Sequence, residues 1–67
     1  MIENVKIIAK FPVSQGYVVV ESEFSPEVML AAGKDADAAR YIVITLLMAA
    51  LQVAPCADQQ QFQDAIK

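Results

Sequence analysis

The sequence predicts an α+β domain: an N-terminal antiparallel β-hairpin, then a short helical turn, one long apolar helix and a short C-terminal helix, with the long helix packed on one hairpin face. Three observations lead there. Residues 2–24 carry two runs of period-two alternation around a Pro/Gly-containing turn. Residues 36–53 are apolar almost throughout and are closed by Pro55. The chain has only 67 residues, of which 57% are hydrophobic, so a single domain must carry an unusual apolar load.

In the first run Val5, Ile7, Ala9 and Phe11 fall on one face, and Asn4, Lys6, Ile8 and Lys10 on the other. One wet face and one dry face define a half-buried strand. Pro12-Val13-Ser14-Gln15-Gly16 has turn chemistry, and Tyr17–Phe24 is a second β-rich run. A four-residue loop over 12–15 sets Phe11 opposite Gly16. That register pairs Lys6 with Glu21, Ile8 with Val19, Lys10 with Tyr17, Ala9 with Val18 and Ile7 with Val20. A slip of one residue would scramble both faces.

Ser25-Pro26-Glu27 is a helix start, with Ser as N-cap, Pro at the first helical position and Glu on the positive end of the dipole. Gly33 fits the left-handed position that follows a helix, and Asp35 offers a new N-cap. The competing reading is one helix through Gly33, at a cost of about 1 kcal/mol relative to Ala; the break is preferred. Within residues 36–53 only Asp37, Arg40, Thr45 and Gln52 are polar. As a helix this segment is about 27 Å long, close to the roughly 30 Å of a nine-residue strand.

Steps of 100° divide the long helix into two seams. Ala39, Ile42, Leu46, Ala49 or Ala50, and Val53 suit the hairpin. Nearly opposite lie Tyr41, Ile44, Met48 and Leu51, spaced three-four-three, as in helices that pair. The hairpin can cover only one seam. The second is expected to be a self-association interface, a symmetric dimer being the commonest solution. Asp58-Gln59-Gln60-Gln61 has the residue types of a capping box, which starts a helix over 59–66 with Phe62 and Ile66 on one face. That tail can cover part of the second seam.

Candidate chemistry is sparse. There is no histidine and one cysteine, Cys56, so the usual zinc sets, a Cys–His pair and an intramolecular disulfide all lack their residues. Asp35-Ala36-Asp37 spells a D-x-D, but an N-cap plus a first-turn carboxylate explains both acids. Glu21 and Glu23 share a strand face with Glu27 close in sequence, and this trio is the possible partner-binding face for a basic target. Five basic residues are scattered against eight acidic ones at net charge −3, which leaves no phosphate-binding face, so no nucleic acid is expected. No cofactor, metal or catalytic residue is expected either.

These readings converge on a small non-enzymatic protein-binding module, an inhibitor or adaptor acting as a homodimer. It would present its acidic hairpin faces or the Val28–Ala32 turn to an unidentified protein target. The alternatives are a structural or assembly subunit of a larger oligomer and a peripheral membrane or lipid-binding protein. The last lacks Lys/Arg flanking its apolar helix. The unpaired Cys56 and the absence of a secretory pattern at the N-terminus place the protein in the cytoplasm as an expectation.

Overall fold

A computed structural model describes residues 3–66 of the chain. The first two residues, where the alternation begins, and Lys67 lie outside the described residues. Strands β1 (Val5–Val13) and β2 (Gly16–Phe24) form an antiparallel two-stranded sheet, followed by helices α1 (Pro26–Ala32), α2 (Ala36–Val53) and α3 (Cys56–Ile66). The α+β class and the order of elements are as the alternation and the apolar run require.

The hairpin register differs from the expected one by two residues. Val13 pairs with Gly16, Phe11 with Val18, Ala9 with Val20 and Lys6 with Glu23, so the loop is only Ser14-Gln15. A shift of two keeps every side chain on its face, and the inward set is unchanged. Three interactions favour the longer ladder. Val13 joins the partly buried residues packed on the core. Gly16 takes φ +132°, a value L side chains rarely adopt, which lets the short turn close with Ser14 and Gln15 both at negative φ. Asp58 of α3 then accepts from the Ser14 amide at 3.1 Å and from the Ser14 hydroxyl at 2.9 Å.

Ser25 caps α1 through a bond from the Val28 amide, at 3.3 Å, and Asp35 caps α2 through one from the Asp37 amide, at 3.0 Å. The break between the two helices is real, but Gly33 does not make it by a left-handed turn. Its φ is −74°, and its amide reaches the Met29 and Leu30 carbonyls while the Lys34 and Asp35 amides reach Ala31. The helix tightens through these bonds and the Asp35 side chain takes the Asp37 amide to start α2, so Gly33 is not required for its φ.

The core lies between β2 and the two longer helices. Val18, Val20 and Phe24 of β2, Ile42, Leu46, Leu47 and Ala50 of α2, and Phe62 of α3 are buried. Phe11 of β1 meets Phe62 edge to face at 5.8 Å between centroids, which lays α3 against β1 while α2 runs along β2. Helix α3 begins at Cys56, three residues earlier than the capping-box reading. The Pro55 carbonyl accepts the first helical bonds from Asp58 and Gln59, and this frees the Asp58 carboxylate to reach the hairpin turn. Gln59 turns back to donate to the Leu51 and Ala54 carbonyls, closing the end of α2.

Candidate functional site

The expected self-association seam divides in two. Tyr41 and Met48 are more than half exposed, at 59% and 55%, whereas Ile44 and Leu51 are half-buried. Leu51 packs on the core where α3 covers the last turns of α2, so the tail takes part of this seam. Tyr41 and Met48 are seven residues apart and share one side of the helix. The Tyr41 ring also meets Phe24 edge to face at 6.3 Å, which ties the top of the stripe to the end of β2. Thr45, one turn on from Tyr41, turns its hydroxyl back onto the Tyr41 carbonyl at 2.8 Å and adds no polar demand to the stripe.

The hairpin-facing seam is mostly as the periodicity requires, with Ile42, Leu46 and Ala50 buried and Ala39 and Ala49 half-buried. Val53 departs from it at 63% exposed, and Leu47, in neither seam, is buried. The buried side of α2 rotates along its length because its neighbours change: α1 meets it as well as β2, and α3 closes its C-terminal end.

The acidic trio is spread over two elements. Glu21 and Glu23 stand exposed on the outer face of β2, opposite Ile8 and Lys6 of β1, and Glu27 lies in the first turn of α1. The two glutamates therefore share their face with Lys6 and Lys10, and the Lys10 ammonium sits 4.3 Å from the centre of the Tyr17 ring. This outer face also bears Ile8 at 65%, Tyr17 at 64% and Val19 at 62% exposure. Their signal in the sequence is an apolar type at positions that alternation assigns to water. Leu30 of α1, at 68%, is another, and it lies one turn from Glu27.

Among the described residues no ligand-sized pocket opens, and no three His, Cys, Asp or Glu side chains gather to hold a metal ion. Asp35 spends its carboxylate on its own helix, as a capping residue does. Cys56 is exposed at the first residue of α3. By length and composition α2 is apolar enough to cross a membrane, with a mean hydropathy of 1.5 over 18 residues, although Asp37 and Arg40 lie within it. No protein-family model, curated protein or solved structure matches the chain.

Proposed function

We propose that the protein is a small non-enzymatic binding module that works as a homodimer, joined through the α2 stripe of Tyr41 and Met48 with Ile44 and Leu51 at its margin. The observation that supports this is how open the fold is. A compact chain of 7.3 kDa exposes about 4,200 Å². This one exposes 4860 Å². Its radius of gyration is 13.0 Å, against about 11 Å for a compact domain of this length. The excess, about 650 Å², approaches the roughly 800 Å² that each partner contributes to a standard interface. Large apolar side chains, Tyr41 and Met48 among them, occupy part of it.

A target protein is then left the far end of α1, where Leu30 stands exposed beside Glu27. Sedimentation of wild type against Met48→Glu checks the dimer. Met48 is already 55% exposed, so the substitution leaves the folded subunit intact but sets a charge in a desolvated contact. The mass of the assembly should fall at least twofold; an unchanged mass refutes the α2 contact. A species retained by immobilised wild type and lost with Leu30→Asp marks the target surface. A second reading, binding to a lipid surface through α2, draws on that helix's hydropathy. It requires co-flotation with liposomes that Met48→Glu abolishes.

A further inference from the structure

We propose that the outer face of the hairpin is a second self-complementary contact, on which another copy of this chain docks face to face with its β1 over β2. This contact is separate from the α2 stripe and does not depend on it.

The outer face is apolar in its middle, with Ile8, Tyr17 and Val19 each more than 60% exposed. Its charges are sorted by strand: Lys6 and Lys10 on β1, Glu21 and Glu23 on β2. Two sheets that pack face to face lie about 10 Å apart and keep their strands nearly aligned. A two-fold axis between them has two orientations. Set across the strands, it lays β1 over β1 and β2 over β2, bringing like charges together. Set along the strands, it lays β1 over the partner's β2 with pairs at the same level. Lys6 then faces the partner's Glu23, and Glu23 faces the partner's Lys6. Glu21 faces the partner's Ile8, with the partner's Lys6 and Lys10 about 7 Å to either side along the strand. Only the second arrangement satisfies the charges, and it satisfies them twice, because a two-fold repeats every contact. The occupant that fits is therefore this same face.

Together with the α2 stripe, two such contacts carry the protein past a dimer, to a tetramer or a chain.

Lys6 and Glu23 are also neighbours within one hairpin, so the test must separate contacts within a subunit from contacts between subunits. Lys6→Glu and Glu23→Lys are made singly in the Met48→Glu background, which removes the α2 contact, and their folding is verified by circular dichroism. Each change turns two attractions into two repulsions, so each variant should associate with itself at least about tenfold more weakly than its Met48→Glu parent. An equimolar mixture restores every opposite-sign pair between subunits, although each subunit's own pair is of like charge. The mixture should form a one-to-one complex at the parent's affinity, read by sedimentation equilibrium and by native mass spectrometry.

A mixture that associates no better than its components overturns the proposal, and so does a parent that stays monomeric near roughly millimolar concentration, well above ordinary specific affinities. The α2 contact fails separately, if Met48→Glu alone leaves the wild-type mass unchanged.

Discussion

Removing the Asp58 carboxylate should loosen the whole molecule, although the residue lies in a surface helix. Asp58 is 5% exposed, and both its oxygens accept from Ser14, forty-four residues away, at 3.1 and 2.9 Å. Hydrogen bonds to a charged group contribute about 1.5–3 kcal/mol each. Ser14 is exposed, so water replaces part of the loss and about 1 kcal/mol per bond remains. Asp58 also stands in the first turn of α3, where a carboxylate gains about 0.3–1 kcal/mol from the helix dipole. Asp58→Ala should thus cost about 2–3 kcal/mol, against a total of about 3–10 kcal/mol for a domain of this size. Thermal unfolding followed by far-UV circular dichroism should show a midpoint lower by roughly 10–20 °C. Ser14→Ala keeps the backbone donor and should cost about 1 kcal/mol, and the two changes should be non-additive by a similar amount. An Asp58→Ala midpoint within about 2 °C of wild type, or additive effects in the double variant, would show that the turn and α3 are not coupled.

Other substitutions bear on the rest of the fold. Gly33→Ala should stabilise the protein by about 0.4–1 kcal/mol in urea titration, because Gly33 has φ −74° and an added Cβ meets only the Leu30 carbonyl oxygen, at 3.5 Å; a loss of stability would restore the left-handed cap. Gly16→Ala meets no atom within 4 Å but is strained by φ +132°, and should lower stability by about 1–3 kcal/mol in the same titration. Phe62→Ala should cost at least about 3 kcal/mol and raise the hydrogen exchange of α3 first, since its ring is 4% exposed and holds α3 to Phe11 of β1. Ala50→Leu should cost about 1–3 kcal/mol by overpacking, as Ala50 is fully buried between α2 and its neighbours; a calorimetric midpoint equal to wild type would mean that space exists there.

The hairpin shows what local sequence carries and what it leaves out. Alternation assigns faces, and the faces stand: Ile7, Ala9 and Phe11 point inward with Val18 and Val20. Register within those faces is a choice among shifts of two, and complementary pairs score well in more than one of them. Lys6 finds a glutamate across the strand whether the partner is Glu21 or Glu23. What decides it here is Val13, which gains burial only in the longer ladder, and Asp58, whose hold on Ser14 is invisible to any window of neighbouring residues. The same carboxylate explains the misplaced start of α3. An acid followed by three glutamines reads as a cap, but here the Pro55 carbonyl accepts the first helical bonds, and the acid is buried against the hairpin turn.

The seams of α2 depart from the helical wheel for a different reason. A helical wheel assumes one neighbour along the whole helix, but α2 has several. Near its C-terminus Gln59 binds the Leu51 and Ala54 carbonyls, drawing α3 against Leu51, while the other end meets α1 and the Phe24 ring. The dry side rotates accordingly, so Leu51 is half-covered and Val53 is left in water. Tyr41 and Met48 stay open because no neighbour reaches far enough round the helix to cover them. The hairpin is equally short of cover: among the described residues the helices pack on one face only, and Ile8, Tyr17 and Val19 of its outer side stay exposed. A fold of five described elements in which two separate apolar surfaces stay wet buries less than its composition offers. In the proposed assembly, association realises that remaining burial, which is why Met48→Glu and the paired charge reversals at Lys6 and Glu23 should act on mass before they act on folding.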